Sequence, residues 1–373
     1  MDNNNNNIKS QMSPQAANLS PTPCTVWRRS FLLRRIVFAI CLGVPLLSAS
    51  SVALAQYQLT SLVSNQVGAA HHDDPLSVNA WGVVHPPNGP FWISDNNSGW
   101  STLYDGSGVK QSLEVEIPSA NGAGTGSPTG IVFNGSPDAR EFQVQGWPSI
   151  FLFATLDGTI SGWAPQSDPN NAIIAVNHSN SGAVYTGLAI TNKATANFLF
   201  AADQAHNKVE IYNDNFQLVK SFTDTTLPSG FAPFGIRDIN GQLYVTFANV
   251  SGAPGGFIDI FDEDGTHMIH LVQGAPLNQP WGLAVAPSRF GPLSDTLLVS
   301  NNTNSGTING FNIATGDFVG TIKDVNGKAI HIDQLWGIEF GGGTAINGGK
   351  NQLFFTAGPD NNLAGTFGVI TFK

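Results

Sequence analysis

Cysteine is nearly missing from this sequence. Its two cysteines, Cys24 and Cys41, both lie before position 56, and the chain from there to Lys373 contains none. That absence excludes a disulfide framework, a thiolate nucleophile and a cysteine-ligated zinc site from the later part of the chain.

Charge is also scarce, since charged residues make up 11% of the sequence. Five of the 16 basic residues and one of the 26 acidic residues precede residue 56, so 11 and 25 remain and give a formal charge of −14. Scattered lysines in an acidic chain do not form the cationic surface that a phosphate backbone requires. Nucleic acid and anionic membrane surfaces are therefore poor candidates as partners.

The segment before Gln56 has the order of a targeting segment. A basic stretch that includes residues 28–35 leads into an apolar run over 36–54, which ends in the small-residue pattern of residues 53–55. This order predicts a signal peptide, residues 1–55, cleaved after Ala55 rather than a retained membrane anchor. The paired arginines resemble a twin-arginine signal, although Leu33 replaces the usual lysine, so Sec export stays open. We expect an exported protein, periplasmic or extracellular, with no membrane contact once the leader is removed.

A short phrase of glycine followed by apolar residues recurs six times, often with an aromatic residue before the glycine. The glycines are Gly82, Gly130, Gly187, Gly235, Gly282 and Gly337, a spacing of roughly 50 residues that is typical of propeller blades. Each phrase is followed by a second apolar run, an alternating segment that ends in a turn, and in most units a weaker fourth run. Helical periodicity is missing. The pattern predicts an all-β fold, a six-bladed β-propeller of four-stranded antiparallel blades, as one domain over residues 56–373.

The last unit offers only three strands before the chain reaches Lys373. An incomplete blade would expose an unpaired edge, and the alternating segment at residues 57–63 is free to cover it. We therefore predict that this N-terminal strand is the outermost strand of the sixth blade and closes the ring. We expect a monomer.

Aromatic side chains stand beside several of the repeat glycines. Glycine allows close backbone approach, and its aromatic neighbour is expected chiefly to fill the wedge between blades. The alternative is a ring of aromatic platforms around a channel mouth, in which Trp81 would bind ligand. The aromatic residues assigned to this position are Trp81, Tyr185, Phe234, Trp281 and Trp336.

Two resemblances support this fold. The stretch LFAADQAHNKVEIYND at 199–214 is similar to the repeat of NHL propellers. The stretches DDPLSVNAWGV, FWISDNNSGWSTLYDGSGV and LWGIEFGGG resemble an exported bacterial propeller family of unknown function, with Ala80 where that family usually has proline. The resemblance implies a six-bladed propeller over nearly all of residues 57–373 and brings no activity with it.

Polar residues are expected to meet on one face of the propeller. The loops that enter each first strand and the loops that join second to third strands open on the same face, here called the loop face. The candidate binding residues there are His71, His72, Asp73, Asp74 and Asn79 before the first blade, and Asp95, Asp203, His206 and Asn301 at the ends of second strands.

A cation is one candidate ligand for the loop face. Carboxylate and amide oxygens around an axis suit Ca²⁺ better than zinc, so Asp95, Asp203 and Asn301 are candidate metal ligands. Capping of the turns by the same side chains is the simpler interpretation.

Two classes of function remain open. The first is a binding module that takes a small polar ligand or a protein partner on the loop face. The second is a metal-dependent hydrolase or lyase, by analogy with gluconolactonase-like and streptogramin-lyase-like propellers. Such an enzyme needs an inner-strand carboxylate, for which Glu339 is the candidate, and His331 would be its acid–base partner. His267 and His270 are assigned to an outer strand, on alternate faces.

Overall fold

The structure is a computed structural model that describes residues 56–136, 138–191, 193 and 196–373. The expected signal peptide, its cleavage after Ala55 and its export route lie outside the described residues. Within the part of the chain that is described, no helix has the length and apolar character needed to span a membrane.

Five four-stranded antiparallel sheets and one five-stranded sheet make up most of this part. The chain begins with β1 (Tyr57–Ser64) and β2 (His72–Asp73). Blade 1 contains β3 (Ala80–Val84), β4 (Phe91–Asp95), β5 (Trp100–Tyr104) and β6 (Lys110–Glu116). Blade 2 contains β7 (Pro128–Phe133), the inserted hairpin β8 (Gln143–Val144) and β9 (Trp147–Pro148), then β10 (Phe151–Thr155), β11 (Thr159–Trp163) and β12 (Ile173–Asn177).

The remaining blades follow the same order. Blade 3 contains β13 (Tyr185–Ile190), β14 (Leu199–Asp203), β15 (Lys208–Tyr212) and β16 (Leu218–Phe222). Blade 4 contains β17 (Phe231–Ile239), β18 (Gln242–Asn249), β19 (Phe257–Asp262) and β20 (Met268–Gln273). Blade 5 contains β21 (Pro280–Val285), β22 (Thr296–Asn301), β23 (Ile308–Asn312) and β24 (Phe318–Thr321). Blade 6 contains β25 (Leu335–Phe340), β26 (Gln352–Ala357) and β27 (Thr366–Phe372).

Helical structure is confined to three short segments in the described residues. Two are 3₁₀ turns, Ser179–Ser181 and Gly291–Leu293, and the third is a four-residue turn, Pro359–Asn362. The predicted all-β, six-bladed propeller is confirmed.

The N-terminal strand closes the ring as predicted. Strand β1 pairs antiparallel with β27, from Tyr57 opposite Phe372 to Ser64 opposite Thr366, and so forms the outermost full strand of blade 6. Strand β2 then adds in parallel to the free end of β1. The first and last strands of the domain therefore share one sheet, and the edge that the last blade would have exposed is covered.

The six repeat glycines lie where the inner strand of one blade meets that of the next. A Cβ atom at any of them would lie within 3.0 Å of a backbone atom of the following blade. The opposed residues, in blade order, are Thr129, Leu188, Phe234, Trp281, Trp336 and Trp81. None of the six glycines has a left-handed φ, so lack of space rather than backbone conformation requires glycine here.

Hydroxyl groups bridge the same seam between inner strands. Ser300 Oγ accepts from the Gly282 N–H at 2.7 Å and donates to the carbonyl of Trp336 in the next blade at 2.6 Å. Thr356 does the equivalent across the ring closure by donating to the carbonyl of Trp81. Each bond satisfies a backbone group that the close approach would otherwise leave buried without a partner.

Substitution of a repeat glycine should destabilise the whole ring. Gly235→Ala would push a methyl group into the Trp281 carbonyl, and we expect it to lower the free energy of unfolding by about 1–3 kcal/mol. Urea unfolding measures this change. Gly320→Ala is the matched control, because a Cβ there meets only the end of Leu293 at 3.4 Å. An equal loss of unfolding free energy in the two variants would contradict the crowding between neighbouring inner strands.

Removal of β1 should open the ring. A chain that begins at Asn65 loses the buried side chains of Tyr57, Leu62 and Val63 and exposes the edge of β27. At about 1.5–3 kcal/mol per large apolar side chain, we expect the melting temperature to fall by about 10 °C or more relative to a chain that begins at Gln56. An unchanged melting curve would show that β1 does not hold the ring closed.

Candidate functional site

Four aromatic side chains fill the propeller axis on the side of the loop face. This axial plug consists of Trp81, Phe234, Trp281 and Trp336, all less than 9% exposed. Trp81 is stacked on Trp336 with ring centroids 3.5 Å apart, and Trp281 meets their edges at 6.0 and 5.8 Å. These residues are packing residues as expected, but they fill the axis and not the wedge between blades.

A β-bulge explains why these rings turn toward the axis. In every blade the register between the first and second strands is irregular beside the repeat glycine, for example between Pro233 and Ile236 in blade 4 and between Pro280 and Leu283 in blade 5. A bulge bends its strand and redirects the neighbouring side chain. The alternation assumed from the sequence therefore fails at this point.

Tyr185 does not belong to the plug, contrary to expectation. It stands two residues before Gly187, whereas the plug residues immediately precede their glycines, so its side chain points to the other face of the strand. Its hydroxyl donates to Glu210 Oε2 at 2.6 Å and lies 2.9 Å from the hydroxyl of Tyr212. Tyr185 is therefore a residue of the core between blades 2 and 3.

An axial pocket of about 280 Å³ lies on the other side of the plug. Its walls are the later halves of the six inner strands, from the repeat glycines to the strand ends. Most of the lining is glycine and aliphatic, and the charged residues in it are Arg237, Asp238 and Glu339. Its volume lies just below the usual range of ligand pockets, about 300–1,000 Å³.

An ion pair crosses the mouth of the axial pocket. Arg237 of blade 4 lies with Nη2 2.8 Å from Glu339 Oε2 of blade 6, and its Nη1 donates to the Leu283 carbonyl of blade 5 at 2.9 Å. The guanidinium therefore links three blades, and Glu339 is only 15% exposed. This pairing fixes both charged groups in place at one side of the mouth.

Asp238 adds a second carboxylate to the same mouth. Its Oδ1 accepts a long bond of 3.4 Å from the Gly241 N–H, and its Oδ2 is buried without a hydrogen-bond partner among the described residues. Burial raises the pKa of Asp238, and the neighbouring Glu263 raises it further. The positive charges of Lys193 and Arg237 act on the same carboxylate and lower its pKa.

The four adjacent polar residues before blade 1 separate into two groups. Asp74 is buried, and it accepts from the Tyr104 hydroxyl at 2.6 Å and from Lys110 Nζ at 2.8 Å. His71, His72 and Asp73 are exposed. Asp74 therefore anchors the loop, while the other three remain accessible on the loop face.

The polar residues at the second-strand ends hold loops of their own blades. Asp203 accepts from the Val184 N–H at 3.1 Å and lies 2.6 Å from His206 Nδ1. Asn301 accepts from the Asn278 N–H at 3.0 Å. These bonds are those expected of turn capping.

Asp95 and Asn79 occupy related positions near the plug. Asp95 is fully buried, accepts from the Thr102 hydroxyl at 2.6 Å, and has a second oxygen without a partner in the described residues. Asn79 accepts from the indole N–H of Trp336 at 3.1 Å and donates to Asn96 Oδ1 at 3.2 Å. Asn79 therefore supports the plug.

The structure does not bring the three candidate metal ligands together at one site. Asp95, Asp203 and Asn301 belong to blades 1, 3 and 5, and the partners of each lie in its own blade or in the connection entering it. A calcium site on these residues stays a prediction.

Sequence reasoning identified Glu339 but missed Arg237 and Asp238. The signal was present, because Arg237 and Glu339 both stand two residues after a repeat glycine, where the other four phrases carry Val84, Val132, Ala189 and Ala284. Charges at an otherwise apolar position of the repeat are a departure from it that the sequence alone shows.

Six four-stranded blades around an axial pocket define this protein as a six-bladed β-propeller. No protein-family model matches the chain. Uncharacterized protein R648 of Acanthamoeba polyphaga mimivirus is 31% identical over 338 residues, which cover 85% of this chain and 81% of the relative. The chain belongs to the same family as R648.

Solved structures agree on the fold. A structural genomics protein of unknown function from Bacteroides thetaiotaomicron matches with a TM-score of 0.52 and 11% identity, over 85% of this chain and 76% of that one. A streptogramin B lyase matches with a TM-score of 0.50 and 12% identity, over 85% and 98%. At such identities the likeness shows the fold alone.

Asp95→Asn should change how stability depends on pH. Burial raises the pKa of Asp95 well above its usual value. Below the pKa of the unfolded state, Asp95 is protonated in both the folded and the unfolded protein. Above that pKa the free energy of unfolding falls as the pH rises, and it stops falling once the pH passes the pKa of the folded state. The neutral variant should match the wild type near pH 4 and melt at a higher temperature at pH 7.5.

Thermal melts between pH 4 and 8 measure this difference. Asp360→Asn is the control, because Asp360 is exposed and its backbone conformation with positive φ suits asparagine. A lower stability of Asp95→Asn at pH 7.5 that appears with calcium and disappears in chelator would support the calcium prediction, and a lower stability in both would contradict a neutral Asp95.

Proposed function

We propose that this chain is an exported binding propeller with NHL-like repeats, whose axial pocket holds a small polar ligand that is neutral or positively charged. The observation that carries the proposal is the mouth of the pocket. It combines a fixed Arg237–Glu339 pair with Asp238, which has one oxygen without a partner in the described residues. Convergent polar groups at one end of an otherwise apolar pocket are typical of ligand sites.

Charge selects the class of ligand. Arg237 is already bonded to Glu339 and to a backbone carbonyl. An anion that entered the mouth would therefore be repelled by the two carboxylates, and the charge of the guanidinium would already be paired with Glu339. An ammonium group or a hydroxyl would instead supply the donor that Asp238 lacks. The formal charge of −14 on residues 56–373 also disfavours the approach of anionic ligands.

The axial pocket supports the proposal better than the loop face does. Asp74, Asp203 and Asn301 are engaged in bonds that hold loops. The axial plug fills the channel beneath them. The exposed residues His71, His72 and Asp73 keep a protein partner on that face open as the second form of the binding hypothesis.

The geometry gives the enzyme alternative little support. A lyase-like site would place His331 and Glu339 in one cavity. His331 precedes β25 and lies 2.8 Å from the Ser305 hydroxyl, whereas Glu339 stands near the far end of the same strand and pairs with Arg237. A general acid and base must both reach the same substrate.

Thermal shifts with matched small molecules test the proposal. Primary amines and polyols should raise the melting temperature, and carboxylates of the same size should not. Glu339→Gln should weaken amine binding by about tenfold, equivalent to about 1.4 kcal/mol. Because it also frees Arg237, it should allow carboxylates to bind.

Asp73→Asn, on the loop face, is the matched control and should leave the shifts unchanged. Stabilisation that survives Glu339→Gln and Asp238→Asn but disappears in a His71→Ala/Asp73→Ala variant would move the site to the loop face. No stabilisation by any of the three classes would contradict a ligand pocket.

A further inference from the structure

Three side chains of types that bind metals meet at the outer part of blade 4, and none of them lines the axial pocket. Asp224 lies in the connection between β16 and β17, Asp259 in β19 and His270 in β20. Each offers one ligand atom, and these atoms lie within 4.8 Å of one another. Among the described residues, this is the one group of three His, Cys, Asp or Glu side chains so arranged.

The distances suit a small cation. His270 Nδ1 lies 2.9 Å from Asp259 Oδ1 and 3.5 Å from Asp224 Oδ2. Ligands about 2.0–2.1 Å from a tetrahedral zinc ion are roughly 3.3 Å apart. The three side chains therefore stand at the separations of a zinc coordination sphere.

Both carboxylates have a buried oxygen without a hydrogen-bond partner in the part of the chain that is described. These atoms are Asp224 Oδ2 and Asp259 Oδ2, and the two side chains are 0% exposed. Two buried carboxylates that face each other repel unless a cation or a proton lies between them. His270 is about one third exposed, so an ion can enter beside the imidazole.

Thr226 orients two of the three side chains. Its backbone N–H and its hydroxyl both donate to Asp224 Oδ1, at 2.7 and 2.6 Å, which leaves Oδ2 for ligation. The same hydroxyl oxygen lies 3.1 Å from His270 Nε2 and can accept a hydrogen bond from Nε2–H when Nδ1 is the ligand. Protein metal sites use such outer partners to fix the tautomer and the orientation of their ligands.

We propose that Asp224, Asp259 and His270 bind one zinc ion through a carboxylate oxygen of each aspartate and Nδ1 of the histidine. An imidazole with two carboxylates favours zinc over calcium, which takes six to eight oxygen ligands. Three protein ligands leave a fourth position for water. The ion ties the connection between blades 3 and 4 to the two outer strands of blade 4.

Calorimetric titration of the full chain, without an affinity tag and after removal of metals with chelator, tests the proposal. We expect about one zinc ion bound per chain, and a higher melting temperature in zinc than in chelator. Asp259→Asn and His270→Gln should abolish binding. Thr226→Val should weaken it by about 10- to 100-fold.

His267→Gln is the matched control, because His267 is an exposed histidine just before β20 and outside the cluster. It should bind zinc as the wild type does. Melting curves in chelator show that the variants fold. Failure of the wild type to bind zinc would overturn the proposal, as would binding that is equal in all variants. If zinc has no effect and Asp259→Asn simply raises the melting temperature, a proton lies between the carboxylates and the proposal is wrong.

Discussion

Close approach of the inner strands at six glycines is the constraint on which the molecule depends. A side chain at any of these positions would enter the backbone of the next blade, so the ring can close at this radius only with glycine. The bulge beside each glycine follows from the same crowding, since the strand must bend to pass its neighbour. Hydroxyl side chains such as Ser300 and Thr356 then bond the backbone groups that the bend displaces. Blade number, ring radius and the direction of the neighbouring side chains are thus linked.

One consequence is that the two ends of the axis differ. Before the glycine, the redirected aromatic residues of blades 1, 4, 5 and 6 meet on the axis and exclude solvent. After the glycine, short aliphatic residues leave an open pocket, and the only charged lining residues among those described come from blades 4 and 6. A strictly repeated sequence would give a symmetric channel. The departures at Arg237, Asp238 and Glu339 break that symmetry at the open end, where a ligand can reach them.

The sequence predicted features that repeat or that follow the alternation of a strand. The glycine period gave six blades, and the missing fourth strand of the last unit pointed to residues 57–63. The longest interval, between Gly130 and Gly187, contains the inserted hairpin of blade 2.

What the sequence did not predict depends on contacts between distant elements. The bulge reversed the expected direction of the plug residues, and Arg237 meets Glu339 across 102 positions of the chain. His270 was assigned correctly to an outer strand, but its partner Asp259 is recognised only from the register of β19 with β20.

Buried carboxylates separate structural residues from candidate sites. Glu210 illustrates the structural case, because Lys208 and two tyrosine hydroxyls of the same blade bond its two oxygens. Asp95 has one oxygen bonded to a hydroxyl and one without a described partner, in surroundings that favour its neutral form. Asp224 and Asp259 differ from both, since each has a buried oxygen without a described partner and both approach the same imidazole. A single neutral carboxyl group resolves the burial of Asp95, whereas two facing carboxylates beside a histidine require a cation or a shared proton between them. That difference in electrostatics, rather than the number of acidic residues, is why the metal proposal rests on blade 4 and not on the loop face.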